Sequence, residues 1–292
     1  MRHDNNNLPK PDWLKKKIDL KDLHKMKTQL RHLKLHTVCE SASCPNAGEC
    51  FAKGVATIMI MGDVCTRSCK FCNVKTGRPG PLDTKEPENV AAFVKEKNLK
   101  YVVITSVDRD DLKEDYGAGH YATVVKRVNE VNPNTQIEVL TPDFMGKTDC
   151  LDKICQEDIA VFNHNLETVE PLTPQIRSVA KYDRSLQVLD YVAKEYPHIL
   201  TKSGLMLGLG ESKDAVVKTM QDLINVKCKI LTLGQYLAPS KEHWPVKEYV
   251  HPDQFNEYEK LGLEMGFKAV FAGPFVRSSY MAGDVLSLVS GR

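Results

Sequence analysis

The sequence predicts an α/β fold, a partial (β/α)6-type TIM barrel, and three observations carry that reading. Apolar, β-branched segments alternate with amphipathic helical segments from residue 55 almost to the C-terminus. The strand segments are continuous apolar runs, as in parallel sheets covered on both faces. Polar residues collect at the C-terminal ends of these strands, which in a barrel is the face that carries chemistry. A chain of 292 residues suits one such domain and can bury a large core.

The elements follow in order. After a polar, lysine-rich lead-in to about Leu35, VATIMIMGD at 55–63 reads as the first strand. PENVAAFVKEKNL at 87–99 has helical spacing behind a proline suited to a first turn, and YVVITSV at 101–107 is the next strand. HYATVVKRVNEV, KTDCLDKICQ and DRSLQVLDYVAKEY continue as helices, interleaved with the strands QIEVLTP and IAVFNHNLET. Three more strands, ILTKSGLMLGLG, KILTLGQYLAP and KAVFAGPFV, are separated by the helices KDAVVKTMQDLINVK and DQFNEYEKLGLEMG. The pattern is six strand–helix units and a seventh strand. No Gly-x-Gly-x-x-Gly turn follows the first strand, which argues against a dinucleotide-binding sheet.

At the strand ends stand Thr105 and Ser106, then Asn163, Asn165 and Glu167, then Lys202 with Glu211, then Gln235. Ser106 or Thr141 alone reads equally well as a helix cap. The same habit on strand after strand points to a binding edge.

Hydrophobic residues make up 42% and charged residues 27%, an ordinary globular composition. Forty basic against 38 acidic residues leave a net charge of +2, which gives no reason to expect a nucleic acid or an anionic membrane as partner. The N-terminus lacks the apolar core of a secretory signal, and no segment offers the ~20 apolar residues of a membrane span. A cytoplasmic protein is expected. In that reducing compartment nine thiols point to metal or redox chemistry before disulfides.

Six of the nine cysteines lie between Cys39 and Cys72 in two triplets. Cys65, Cys69 and Cys72 have C-x3-C-x2-C spacing just after the first strand, flanked by Arg67 and Lys70. Three thiolates in one loop can hold three corners of a 4Fe-4S cube and leave the fourth iron open to an outside ligand. A zinc knuckle that borrows a distant His or Cys is the competing reading. Cys39, Cys44 and Cys50, spaced C-x4-C-x5-C in a polar loop, match neither common zinc spacings nor the ferredoxin run. A second iron–sulfur cluster, also one cysteine ligand short, is the economical account.

The C-x3-C-x2-C loop after a first barrel strand resembles the signature of radical S-adenosylmethionine enzymes. TVCESASCPNAGEC, MGDVCTRSCKFCNV, TSVDRDDL, NHNLETV, TKSGLMLGLGE, LGQYLAPSKEHWPV and GPFVRSSYMAGD together resemble the lipoyl synthase family, from near Trp13 to near Asp284. Phe51, where that family more often has Trp, is a mild departure.

The resemblance implies two 4Fe-4S clusters and S-adenosylmethionine as cofactors. Cys65, Cys69 and Cys72 would hold the cluster that cleaves S-adenosylmethionine to a deoxyadenosyl radical. Cys39, Cys44, Cys50 and Ser279 would hold an auxiliary cluster, the donor of two sulfur atoms to C6 and C8 of a protein-bound octanoyl-lysine. Thr105 and Ser106 would meet the methionine end of the cofactor, and Asn163, Asn165 and Glu167 the ribose. Lys202, Gly204, Met206 and Glu211 would complete the cofactor contacts, with GLMLGLGE on the adenine side. No side chain is expected to act as catalytic acid or base.

The implied organisation is an N-terminal extension over 1–54 with the auxiliary-cluster loop, a barrel over 55–276 and a C-terminal extension over 277–292 with the serine ligand. Implied partners are octanoylated lipoyl carrier domains (2-oxoacid dehydrogenase E2 or glycine cleavage H protein), a ferredoxin or flavodoxin electron donor, and an iron–sulfur carrier protein. A sulfur-inserting relative of the biotin synthase kind and a zinc-stabilised binding module are the alternatives. His243 is expected to make ordinary loop hydrogen bonds, and Cys150, Cys155 and Cys228 to be small buried hydrophobes. The run KKKIDLKDLHKMK reads as a solvated helical face.

Overall fold

The computed structural model of the chain describes residues 8–15, 30, 33–41, 46, 50 and 55–279. Its strands are β1 (His36–Thr37), β2 (Val55–Ile60), β3 (Val64–Cys65), β4 (Lys75–Thr76) and β5 (Tyr101–Ser106). They continue with β6 (Gln136–Leu140), β7 (Val161–Asn163), β8 (Leu200–Leu207), β9 (Ile230–Gln235) and β10 (Ala269–Gly273). The long helices are α1 (Glu86–Glu96), α2 (Ala118–Val131), α3 (Thr148–Cys155), α4 (Tyr182–Glu195), α5 (Lys213–Asn225) and α6 (Pro252–Met265).

One sheet runs β1-β2-β5-β6-β7-β8-β9-β10, parallel throughout except for β1, which lies antiparallel on β2 with His36 opposite Met59. Each of the six helices connects one parallel strand to the next, so the predicted strand–helix units are all present. The residues before the barrel are joined to it through β1 and through Leu30 and Leu35, which lie in its main core. The run KKKIDLKDLHKMK, after Lys15, lies outside the described residues.

Local chemistry explains the elements. Helices α2, α4 and α5 bury residues at the same i, i+3, i+4, i+7 spacing: Tyr121, Val124, Val125 and Val128 on α2, for example. Ser212 starts α5 by accepting the Ala215 N–H at 3.2 Å, and Gly266 ends α6 with φ 109°. Between helices and sheet lie two apolar layers. One contains Ile58, Ile60, Phe93, Ile104, Val139 and Phe162; the other, under α5 and α6, contains Met220, Leu231, Leu233 and Phe255.

The segment IAVFNHNLET departs from its reading as one strand. β7 stops at Asn163, Glu167 takes φ 67°, and beyond the strand an isolated bridge pairs Glu167 with Leu205 of β8. There Glu167 N–H donates to Gly204 O and Met206 N–H to Glu167 O, both at 2.9 Å. The kink aims Asn165 and Glu167 across the sheet's inner face.

Alternate residues on the strands, Thr57 and Glu138 among them, face away from the helices, and several on that face meet the C-terminal segment. Ser279 Oγ lies 2.8 Å from Thr57 Oγ1 on β2, Ser278 Oγ lies 2.8 Å from Asn163 Nδ2 on β7, and the Val276 carbonyl sits against Gly234 on β9. In a flat sheet β2 and β9 stand five strand spacings apart, about 24 Å. The three-residue step from Val276 to Ser279 reaches at most about 11 Å. The sheet therefore curls around residues 276–279, and the polar face is the inside of a partial barrel.

His164, just past β7, is buried between the sheet and α4, with Nδ1 2.9 Å from Thr141 O and Nε2 2.9 Å from Ser185 Oγ. Thr141 O can only accept, and Ser185 already accepts from Arg177 at 3.0 Å. Nδ1 therefore donates to Thr141, and Ser185 donates to Nε2 of a neutral ring. Burial, helped by the Arg177 charge, pushes His164 down to about 4. As pH falls from about 6.5 to 4, the unfolded chain takes up a proton here that the folded chain refuses, so stability falls across that window. Thermal unfolding followed over the same range should show this loss in the wild type and a flatter dependence in His164→Asn. An equal slope in both would exclude His164 as its source.

Candidate active site at the mouth of the barrel

The chain leaves β2 through two successive left-handed residues, Met61 (φ 66°) and Gly62 (φ 96°). A side chain is rarely tolerated there, so Met61 has to be held. Glu86 at the start of α1 accepts the Met61 N–H with both carboxylate oxygens, at 2.9 and 3.1 Å, and is itself 2.7 Å from His120 Nε2. Gly117 packs on the Met61 sulfur so closely that a Cβ would collide with it. The turn throws the next residues across the barrel mouth.

Those residues are the second cysteine triplet. β3 and β4 pair Val64 with Lys75 and Cys65 with Thr76, which closes residues 66–74 into a loop holding Cys69 and Cys72. This small sheet was not foreseen from the sequence. Three other segments clamp the loop. Thr66 N–H and hydroxyl both donate to Asp108 O, at 3.1 and 2.9 Å. Lys70 N–H donates to Ile176 O at 2.9 Å, and Ser68 N–H to Ser178 Oγ at 3.1 Å. Trp244 N–H donates to Lys70 O at 2.9 Å, and His243 Nε2 to Cys72 O at 3.1 Å. His243 thus makes ordinary loop hydrogen bonds, as expected, but one of them holds a cysteine's backbone.

Arg67 is the anchor of the loop. It is 5% exposed, and its guanidinium meets Asp110 at 2.7 and 2.8 Å, Asp143 at 2.7 Å and Asp108 at 3.2 Å. Arg184 reaches the other oxygen of Asp143 at 3.1 Å. Burial works against the Arg67 charge, but the three carboxylates outweigh it and hold the guanidinium above its usual range. Burial likewise opposes the charge of Asp143, yet Arg67 brings that carboxyl down to about 2. Asp108, 3.7 Å from the Cys65 sulfur, is pushed up to about 6, chiefly by burial. The sequence marked Arg67 only as a neighbour of the cysteines; the cluster of aspartates in TSVDRDDL was the available signal.

The strand-end residues divide into two groups. Thr105, Ser106, Asn163, Asn165 and Glu167 stand at the mouth, and three side-chain oxygens there, Ser106 Oγ, Thr141 Oγ1 and Asn163 Oδ1, are buried without a hydrogen-bond partner among the described residues. Thr105 Oγ1 donates to Leu140 O at 2.9 Å. Asn165 donates to Glu167 Oε1 at 3.1 Å, and Glu167 is raised by burial against the opposing Arg177 charge. Gly204 leaves room for Asn165, since a Cβ would approach Asn165 Oδ1 to 2.9 Å. Met206 and Phe71 of the cysteine loop both pack on the buried cluster of Ile176, Leu209 and Tyr236.

The other group is committed to holding the barrel. Lys202 was expected to contact the cofactor, but its ammonium is fully buried on Glu138, 2.9 and 3.0 Å from the two carboxylate oxygens. Glu211 likewise turns onto its own loop, accepting Gly208 N–H at 2.6 Å and Leu209 N–H at 2.9 Å. Gln235 donates to Leu207, Tyr236 and Glu248 carbonyls and accepts the Val250 N–H. In each case a buried polar side chain satisfies neighbouring backbone or charge before it can face a ligand.

Of the first triplet, Cys50 is buried, Cys39 lies in the short helix Val38–Ser41, and Cys44 lies outside the described residues. Asn46, between Cys44 and Cys50, donates to Phe275 O at 2.6 Å, and Cys50 N–H donates to Asn46 O at 2.9 Å. That contact ties the early loop to the segment that carries Ser279.

Burial pushes Cys65 up to about 12 and Cys72 up to about 11, and raises Cys69. Thiols so placed become thiolates when iron is bound to them, because the metal's charge replaces lost hydration. Among the described residues no three His, Cys, Asp or Glu side chains converge on one ion. A cube takes each thiolate on a different iron, so a cluster does not ask for that convergence. The donor set therefore fits an iron–sulfur cluster, and the orphaned oxygens of Ser106, Thr141 and Asn163 beside it fit a polar ligand rich in hydroxyl and amine groups. Cys150, Cys155 and Cys228 are buried and apolar in setting, as expected.

Comparison with known proteins agrees with this geometry. The Radical SAM superfamily matches residues 59–223, and the N-terminal domain of lipoyl synthase of the Radical_SAM family matches residues 1–44. Lipoyl synthase of Caldicellulosiruptor bescii is 51% identical over 285 residues, covering 97% of both chains. Mitochondrial lipoyl synthase of Nematostella vectensis is 52% identical over 278 residues, 94% of each. Among solved structures, Streptococcus suis SuiB bound to S-adenosylmethionine shares the fold, with a TM-score of 0.59 at 13% identity over 87% of this chain and 60% of that one. HydG, a maturase of the [FeFe]-hydrogenase, shares it at 0.58 and 14%, over 93% and 67%.

Arg67→Met should destabilise the cysteine loop severely, by about 3–5 kcal/mol, because three carboxylates lose the cation between them. Denaturant unfolding, with proteolysis at residues 66–74, reads the effect. Wild-type stability and an uncut loop would exclude Arg67 as the anchor.

Proposed function

The chain belongs to the lipoyl synthase family of radical S-adenosylmethionine enzymes, and from that premise we propose that it inserts two sulfur atoms at C6 and C8 of an octanoyl chain carried on a lysine. It is an enzyme, a sulfurtransferase that works with 4Fe-4S clusters and S-adenosylmethionine. The observation that carries the reading is the meeting of three segments in one barrel mouth. The loop of Cys65, Cys69 and Cys72 crosses it, residues 276–279 enter it, and Asn46 of the early cysteine loop bonds to Phe275.

When bound, the first cluster supplies the electron that cleaves S-adenosylmethionine and the second supplies sulfur. Cys65, Cys69 and Cys72 would hold the first, and Cys39, Cys44, Cys50 and Ser279 the second. A serine oxygen is a harder donor than thiolate and less matched to iron–sulfur iron, which suits a ligand that must let go.

Thr105, Ser106, Asn163, Asn165 and Glu167 would bind S-adenosylmethionine. Ser106 and Asn163 are supported by side-chain oxygens that have no partner among the described residues, Asn165 and Glu167 by the kink that aims them inward, and Gly204 by the space it leaves for Asn165. Met206 would pack against the cofactor from the cysteine-loop side, while Glu211 shapes the loop beneath it. The clamped cysteine loop and the seated residues 276–279 would shield the reacting carbon from water, and no side chain is needed as acid or base.

The fitting substrate is an octanoylated lipoyl carrier domain, of a 2-oxoacid dehydrogenase E2 or a glycine cleavage H protein. A ferredoxin or flavodoxin would supply electrons, and an iron–sulfur carrier protein would restore the spent cluster. The N-terminal extension over 1–54 and the C-terminal one over 277–292 would frame the auxiliary site beside the barrel of 55–276. Among the described residues no helix is long and apolar enough to cross a membrane, and the cytoplasm is the compartment we favour.

The reconstituted protein, incubated without oxygen with S-adenosylmethionine, a strong reductant and an octanoyl-lysine peptide, should add two sulfurs to the peptide by mass spectrometry, as the dithiol, with loss of two hydrogens once it is oxidised to the disulfide. Deoxyadenosine formed without any change in the peptide would overturn the substrate. In the same assay Cys65→Ala should abolish deoxyadenosine, whereas Cys44→Ala should keep its formation and lose sulfur insertion. Fully sulfurated product from Cys44→Ala would remove the early triplet as donor site. Ser279→Ala should lower the iron content of the auxiliary cluster or halt turnover; full activity with both clusters intact would exclude Ser279 as ligand.

A further inference from the structure

We infer that the buried Lys202–Glu138 pair is a positioning device that fixes which atoms Asn163 and Asn165 present to the bound cofactor. Both side chains are completely buried, with Lys202 Nζ 2.9 and 3.0 Å from the Glu138 oxygens. The same carboxylate accepts the Tyr101 hydroxyl at 2.7 Å and Asn163 Nδ2 at 2.8 Å. Four donor contacts on one carboxylate balance its burial, so the pair is not merely a flaw in the core. It has a direction as well as a charge.

The direction follows from donor and acceptor inventories. An ammonium only donates and a carboxylate only accepts, so Asn163 must turn its NH2 to Glu138 and its Oδ1 away. The second Asn163 hydrogen goes to Ser278 Oγ at 2.8 Å. Ser278, having accepted, donates to Asn165 Oδ1 at 3.0 Å. Asn165 is thereby left with its own NH2 toward Glu167 Oε1, at 3.1 Å. One ion pair thus sets the sense of a chain that runs through Asn163, Ser278 and Asn165 to Glu167. Along it the Asn163 Oδ1, in a side chain with no exposed surface, is left as an acceptor without a partner among the described residues. An acceptor aimed in this way suits a donor such as a ribose hydroxyl.

The chain passes through Ser278, the neighbour of Ser279. Orientation of the cofactor-facing asparagines therefore depends on residues 276–279 being seated in the barrel.

This inference rests on the proposal that Asn163 and Asn165 face S-adenosylmethionine, and the experiment separates the two. Calorimetric binding of S-adenosylhomocysteine to the reconstituted protein, the KM and kcat for S-adenosylmethionine, and thermal midpoints would be compared for wild type, Asn163→Ala, Glu138→Gln and the double variant Glu138→Gln with Asn163→Asp. Glu138→Gln removes the constraint that orients the amide, and binding and KM should weaken about tenfold with a much smaller change in kcat. In the double variant the introduced amide donates to the introduced carboxylate, whose second oxygen remains an acceptor, while Ser278 must donate to that carboxylate in place of Asn165 Oδ1; the acceptor at position 163 is restored and the link to Asn165 is not. Part of the lost affinity should return.

Weak binding by Asn163→Ala with wild-type binding by Glu138→Gln would overturn the inference alone. So would a double variant that regains its thermal midpoint without regaining affinity. Unchanged binding by Asn163→Ala would overturn the underlying assignment instead. If Glu138→Gln does not fold, Ser278→Ala decides: it breaks the outer link only, and wild-type affinity in that variant would sink the proposal.

Discussion

A charge taken out of water inside a parallel barrel has to be neutralised by side chains from elsewhere in the chain, and this constraint organises the molecule. Arg67 enters the mouth with three aspartates around it, contributed by the loops after β5 and β6. Lys202 lies deeper, on Glu138, with Tyr101 and Asn163 completing the carboxylate's partners. Each pairing joins strands that are distant in sequence. Removing one member leaves the others buried and uncompensated, so each site acts as a rivet between strands.

The first rivet explains how a loop with little regular structure holds three cysteines in place. Hydrogen bonds from Asp108, Ile176, Ser178, His243 and Trp244 hold its backbone at separate points, whereas the guanidinium ties it to three carboxylates at once. The left-handed Met61–Gly62 turn supplies the direction of entry, and Glu86 holds that strained turn closed. Loop position, cysteine burial and thiol protonation are consequences of one arrangement. Thiols pushed up by burial are suited to a site where bound iron, rather than water, stabilises the ionised form.

The second rivet concerns orientation. A buried asparagine has two nearly isosteric faces of opposite hydrogen-bonding sense, and only its neighbours distinguish them. Glu138 makes that choice for Asn163, and the hydroxyl of Ser278 transmits it to Asn165. Because Ser278 lies in the segment 276–279, that segment and the middle strands share one hydrogen-bond network, and Asn46 bonds separately to the preceding Phe275.

The sequence by itself determined the order of elements and the nature of the cofactor loop. Hydrophobic periodicity is a local property, so the six strand–helix units and the seventh strand could be read off directly, and cysteine spacing is local too. The kink after Asn163 was missed because it depends on Glu167 bonding across to β8. The partners that Lys202 and Glu211 take were not legible, because a strand-end position does not reveal a buried partner: Glu138 in one case, two backbone amides in the other. Arg67 showed its neighbours in sequence but not the aspartates it would meet. The entry of residues 276–279 into the barrel was likewise decided only by the curl of the sheet, which brings β2, β7 and β9 within reach of one short segment. Local pattern specifies what each segment is, whereas which buried donor meets which acceptor is settled when distant segments must satisfy one another in the absence of water.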